Sequence, residues 1–114
     1  MIELVIKKHL ESELTVPVYS EYPNKAQAGS FVLFERTGAD EKNGLAKGTF
    51  AFQSYADSLY RALELDEKVQ EVLESLDRRP EIGSCRLNSS YNFTDTQTKK
   101  YRFQSVYDIS YYKE

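Results

Sequence analysis

The chain has 114 residues with 15 basic and 18 acidic side chains, a formal net charge of -3, one cysteine and one histidine. That length fits a single domain over residues 1–114 that can bury a core without metals or disulfides. The mixed charge gives no basic footprint for specific nucleic-acid binding, a lone Cys85 excludes an internal disulfide, and no Cys/His cluster has metal-ligand spacing. In chain order, residues 2–13 place Ile2, Val5, Ile6, His9 and Leu10 on one side and Glu3, Lys7, Lys8 and Glu11 largely on the other, which predicts a short amphipathic helix. Its apolar part is too short and too charged for a signal peptide or a membrane span, so a soluble protein with no membrane partner is expected. Residues 15–22 are β-branched and aromatic, and Pro17 confines them to an edge strand because it removes a ladder donor. A polar turn follows over 23–30. Phe31 to Thr37 then alternates with apolar residues on both faces, the pattern of an interior strand. Residues 38–44, with a glycine at each end and charges between, predict a mobile hairpin connection. Leu45 to Phe52 returns as a strand.

The one long helix is expected from Gln53 to Leu76. Tyr55, Leu59, Ala62, Leu65, Val69, Val72, Leu73 and Leu76 fall three and four apart and form one stripe. Asp57, Arg61, Glu64, Glu67, Lys68, Glu71 and Glu74 form a solvated face. Ser54 with Asp57 three residues on reads as a capping-box variant that fixes the start, and Pro80 stops the helix near Asp77. After it, Cys85, Leu87, Ser89 and Tyr91 alternate with Arg86, Asn88, Ser90 and Asn92. Residues 94–100 make a polar hairpin tip, and Tyr101 to Tyr111 close the chain as a long strand with Tyr101, Phe103, Tyr107, Ile109 and Tyr111 on one face. The order is α-β-β-β-α-β-β: an α+β fold, mostly antiparallel, with three antiparallel strands before the main helix and two helices packed on one sheet face.

No pattern of chemistry emerges. His9 lies on the apolar side of its helix without catalytic partners. The glutamates of the long helix sit on a wet face, where carboxylate pKa values are not raised. There is no phosphate loop, dinucleotide fingerprint or nucleophile elbow, so no catalytic, cofactor-binding or metal-binding residues are assigned and an enzyme is not expected. The sequons at Asn88 and Asn92 are chance matches without a secretory route. Tyrosine use stands out: five of the nine tyrosines, including Tyr91 and Tyr112, sit on the final hairpin, more aromatic surface than one sheet face needs. Tyr60 projects opposite the helix stripe. Both suggest contacts with another subunit.

The strings VPVYSEYP, FVLFERTG, FAFQSYADSLYRALEL and YRFQSVYDISYY, in this order, resemble small tail-component proteins of long-tailed bacteriophages, of the tail-terminator or head-to-tail joining group, and the resemblance runs nearly end to end. It implies a sheet flanked by helices and a hexameric ring that caps the tail tube and meets the head connector. Its partners would be further copies of itself, the tube protein and the connector protein. The protein would be soluble in the host cytoplasm before assembly and would end in the virion at the head–tail joint. Interface residues are then expected at Tyr60, in the loop at Asp40, Glu41 and Lys42, at the tip at Asp95, Lys99 and Lys100, and at Tyr112. A tail-completion or connector protein at the same joint is the alternative within this class. A monomeric ligand-binding domain and a small enzyme are the alternatives outside it.

Overall fold

In a computed structural model, residues 1–23, 29–97 and 100–113 are described. The elements are α1 (Ile2–Glu11), β1 (Val18–Tyr19), β2 (Phe31–Lys42), β3 (Leu45–Ala56), α2 (Leu59–Leu73), a 3-10 turn (Leu76–Arg78), β4 (Ile82–Asn92) and β5 (Tyr101–Tyr112). The fold is α+β in the expected order, with one five-stranded sheet ordered β1-β2-β3-β5-β4. Both helices cover one face. There Ile2, Ile6 and Leu10 of α1 and Val69, Val72 and Leu73 of α2 meet Val32, Phe34, Phe50, Phe52, Tyr107, Ile109 and Tyr111. Leu76 closes this core just beyond α2.

Several expectations change. β1 is an edge strand, but it runs parallel to β2 through Val18 with Val32 and Tyr19 with Leu33. A parallel neighbour needs a long connection, and residues 20–30 supply it. Of these, 24–28, most of the expected polar turn, lie outside the described residues. Because β1 covers only Val32 and Leu33, β2 is an edge strand from Phe34 onward and not an interior one.

The expected mobile loop 38–44 is strand. The β2–β3 ladder continues to Lys42 with Leu45 after a bulge between Arg36 and Gly38. The turn itself is only Asn43-Gly44, with φ 55° and 80°, the two positive φ values of a tight hairpin turn.

The long helix begins later than its periodicity implied. β3 stays paired with β5 as far as Ala56 with Tyr101, and Tyr55 stacks on Phe31 at 4.5 Å between ring centroids instead of joining the helix stripe. Ser54 lies fully buried within that strand. The N-cap is Ser58, in extended geometry, whose hydroxyl accepts from the Arg61 N–H at 3.1 Å. At the other end Arg79 is extended, with ψ 138°, as the residue before Pro80 must be.

In β4 the expected face Cys85, Leu87, Ser89, Tyr91 breaks at a bulge between Leu87 and Ser89. Cys85 and Leu87 oppose Ile109 and Tyr107 on the helix side, whereas Tyr91 opposes Gln104 on the open side.

Two serine substitutions separate the caps. Ser58→Ala should cost about 1 kcal/mol of stability through loss of the helix cap. Ser54→Ala, which removes a buried hydroxyl without a partner, should be neutral or stabilising. Urea unfolding of both variants distinguishes the two cap positions: a larger loss at Ser54 than at Ser58 contradicts the assignment.

Candidate functional site

The sheet face turned away from the helices carries no second layer of helix or sheet among the described residues. Its ladders arrange it in rows. Asp40, Lys47, Ser110 and Ser84 form one row, and Gly38, Thr49, Asp108 and Arg86 the next. These two rows line an open trough of about 720 Å³. Asp108 is held there, accepting from Thr49 Oγ1 at 3.3 Å and Asn88 Nδ2 at 3.1 Å. The hydroxyls of Ser84 and Ser110 bond each other at 2.6 Å. The side chains of Arg86, Lys47 and Asp40 make no ion pair or hydrogen bond among the described residues.

Further along the same face the chemistry changes. Arg102 donates to the Tyr55 hydroxyl at 2.8 Å, Tyr55 donates to Gln53 at 3.1 Å, Gln53 donates to Gln104 at 2.9 Å, and Gln104 donates to the Tyr91 hydroxyl at 2.6 Å. The Arg102 guanidinium lies 4.4 Å from the Phe93 ring centroid. Tyr22 packs edge-on against Tyr55 and Phe31 and is reached by the Lys100 ammonium. This end is an amide and aromatic surface with two cations on it.

The expected interface residues divide between the two ends of a body 44 Å long. Asp40, Glu41, Lys42 and Tyr112 are exposed and together at the Asn43-Gly44 end, where Leu45 pairs with both Lys42 and Tyr112 and Lys113 bonds Glu41 at 3.0 Å. Asp95 and Lys100 bridge each other at the opposite end. Tyr60 lies there too, one turn past the end of β3 and 68% exposed, beside Leu59 and Leu63, which are 41% and 40% exposed. Lys99 lies outside the described residues. Of the five hairpin tyrosines, Tyr107 and Tyr111 are core, Tyr101 is half-buried, and Tyr91 and Tyr112 are exposed. Sequence reasoning left out Tyr55, Gln53, Gln104 and Arg102, because period-two patterning marks a face without saying that the face is open.

Three titratable side chains, His9 and Asp66 buried and Cys85 partly buried, have definite surroundings. His9 Nδ1 accepts from Arg79 Nε at 2.8 Å, so the proton sits on Nε2, which donates to the Val72 carbonyl at 2.9 Å with Ser75 Oγ at 3.0 Å. It fastens α1 to the end of α2. Burial, with the charge of Asp77 adding to it, pushes the Cys85 thiol up to about 12, so it stays protonated and unreactive at neutral pH. Asp66 of α2 is fully buried against the sheet. Its Oδ2 accepts from Gln70 at 2.7 Å and Ser90 at 3.0 Å. Its Oδ1 and the buried hydroxyls of Ser105 and Ser54 have no partner of proper geometry, although Ser105 is near enough to act on the carboxyl. Burial raises the Asp66 pKa above the usual carboxylate value, against the opposing pull of Gln70 and Ser90. Among the described residues no group of three or more His, Cys, Asp or Glu could hold a metal ion.

No protein-family model matches the chain, and no curated protein matches it in sequence. A solved structure does share its architecture: a chain of the "Virion of native gene transfer agent (GTA) particle", with a TM-score of 0.76 and 16% identity, over 98% of this chain and 95% of that one. The likeness is one of fold. It runs nearly end to end.

The raised Asp66 pKa has a definite sign for stability. The neutral carboxyl suits the site, so its contribution is fully present below the pKa of the unfolded chain and is lost as pH rises through the higher folded value. Asp66→Asn should therefore be more stable than wild type at pH 7, by about 1 kcal/mol, and should lose the part of the pH dependence that lies above the ordinary aspartate range. Thermal unfolding from pH 3.5 to 8 reads both, and equal pH profiles for the two proteins would contradict the buried-carboxyl account.

Proposed function

We propose that the chain is a structural subunit of a virion and, within that class, the terminator of a long tail: a ring, hexameric by resemblance, that caps the tail tube and joins it to the head connector. The observation that carries this reading is the near end-to-end fold likeness to a chain of a gene transfer agent virion. The resemblance of the sequence strings to tail-terminator proteins supports the finer assignment. The role requires docking surfaces and no chemistry. The two ends fit it, since one presents Asp40, Glu41, Lys42 and Tyr112 and the other Asp95, Lys100, Tyr60 and an amide-aromatic face. A subunit at a joint meets one partner above and another below, and unlike ends suit unlike partners. Tyr60, with Leu59 and Leu63 beside it, offers apolar area toward a further protein. Its setting is the virion, reached from the host cytoplasm. No helix among the described residues is long and apolar enough to cross a membrane.

The test is particle assembly with the gene deleted, followed by electron microscopy. A terminator predicts tubes of unregulated length that fail to join heads. Tails of normal length that fail to join heads would instead assign the completion or connector role at the same joint, and normal particles would overturn the reading. Reversing Asp40, Glu41 and Lys42 together should leave stability within about 0.5 kcal/mol of wild type, because all three are exposed. Head joining or tail length should change. Unaltered particles carrying all three reversals would remove that end from the contact.

A further inference from the structure

The helices leave both lateral edges of the sheet open, and the two edges differ. Among the described residues nothing pairs with the outer edge of β4, Ile82–Asn92, or with β2 beyond Leu33. Such edges present unpaired N–H and C=O groups that a further strand can satisfy. Each strand from β2 through β3 and β5 to β4 is antiparallel to its neighbour, so β2 and β4 run in opposite directions. A second copy set beside the first in the same orientation therefore brings its β2 antiparallel to β4 of the first. The contact is heterologous, with a different edge from each copy.

The side chains agree with this placement. Following the ladders across the sheet, Arg86 shares a row with Asp108, Thr49 and Gly38. The rows on either side reach β2 at Asp40 and Glu35. All are on the open face, and Arg86, Asp40 and Glu35 are exposed and make no ion pair among the described residues. If the rows continue into the neighbour, Arg86 faces Gly38, where there is no side chain, and lies diagonally between Glu35 and Asp40. Diagonal neighbours across a strand pair are about 7–8 Å apart, within reach of an arginine. On the helix side Leu87, 47% exposed, comes beside Ala39 and the stem of Arg36.

The length of the match is also bounded. β1 occupies β2 at Val32 and Leu33, and bulges between Ile82 and Ser84 and between Leu87 and Ser89 interrupt β4. What remains is 84–87 of one copy against 35–40 of the next, across the β2 bulge between Arg36 and Gly38.

We propose that the occupant of the β4 edge is β2 of a second copy, paired antiparallel, with Arg86 held between Glu35 and Asp40 of that copy. The proposal rests on the ring reading above and names the contact that builds the ring. It uses Asp40 laterally, while Glu41 and Lys113 point to the other side of the sheet.

The test is a charge-reversal cycle in the full-length protein: Arg86→Glu, Asp40→Lys with Glu35→Lys, and all three together. The readouts are incorporation into purified particles by quantitative mass spectrometry and self-association by native mass spectrometry, with thermal unfolding to verify the fold. Each half of the cycle should reduce incorporation at least tenfold with an unchanged melting temperature, and the triple variant should recover most of it. Normal incorporation of Arg86→Glu, or failure of the triple variant to recover, overturns the edge contact while leaving the virion role in place. Absence of the wild-type chain from particles overturns the virion role itself, and the edge contact with it.

Discussion

The register of β3 between its neighbours governs the molecule. From Leu45 to Ala56 it is hydrogen-bonded to β2 on one side and β5 on the other, so its alternation assigns side chains to both layers at once. Phe50 and Phe52 enter the core beneath the helices with no exposed surface. Gln53 and Tyr55 go to the open face, where they start the chain of bonds that reaches Tyr91. A slip of one residue would exchange the two sets, placing glutamine under α2 and phenylalanine in water. Gly48 fits the same constraint. A Cβ there would meet the Phe50 ring at 2.7 Å, so the close passage of that ring beside the strand requires glycine.

The layer under α2 is divided along its length. Val69, Val72 and Leu73, followed by Leu76, are buried in apolar surroundings and give that half of the contact its hydrophobic energy. One turn toward the N-terminus, the small Ala62 and the carboxyl of Asp66 face Ser54, Ser105 and Ser90 instead. The hydrogen bonds that Asp66 and Gln70 make with Ser90 orient the helix over β4, but a network satisfied on only one carboxyl oxygen costs stability in a low-dielectric layer. Attachment of α2 therefore increases from its start to its end. Its weaker end carries the exposed apolar residues Leu59, Tyr60 and Leu63.

What could be read from the chain depended on whether a segment had one dry face or two. α1 buries one side and β5 keeps its large apolar residues Tyr107, Ile109 and Tyr111 on one side, and their 3.6 and 2.0 periods located them to within a residue or two. In β3 nearly every residue from Phe50 to Tyr55 is buried, so its period-two signal vanishes and the helical spacing of Tyr55, Leu59 and Ala62 extends backward into strand. The outer half of β2 failed in the opposite way. It is exposed throughout, and a charged edge strand resembles a loop, although Asn43-Gly44 carried the turn signal. Bulges near Thr37 and Asn88, and the parallel pairing of β1, are products of tertiary fit that no local pattern encodes. For the same reason Tyr60 and Asp40 could be recognised as exposed, but Arg86 could not be recognised as standing on a free edge.

An open edge is a hazard as well as an opportunity, since any extended chain can add to it. Here each edge is limited by a separate device. Pro17 lacks an N–H, and the strand it precedes covers β2 at Val32 and Leu33, with Val32 bonded to the Pro17 carbonyl at 2.9 Å. Bulges interrupt β4 at Gly83 and again at Asn88. What is left exposed is short and charged: Glu35 and Asp40, with Arg36, Glu41 and Lys42 beside them, on one edge and Arg86 on the other. An indiscriminate strand would have to desolvate those charges without compensation, whereas in the proposed contact Arg86 of one copy would meet Glu35 and Asp40 of the next. The sequence thus disfavours random strand addition, and unlike edges meeting in one direction around an axis are the arrangement that the proposed ring requires.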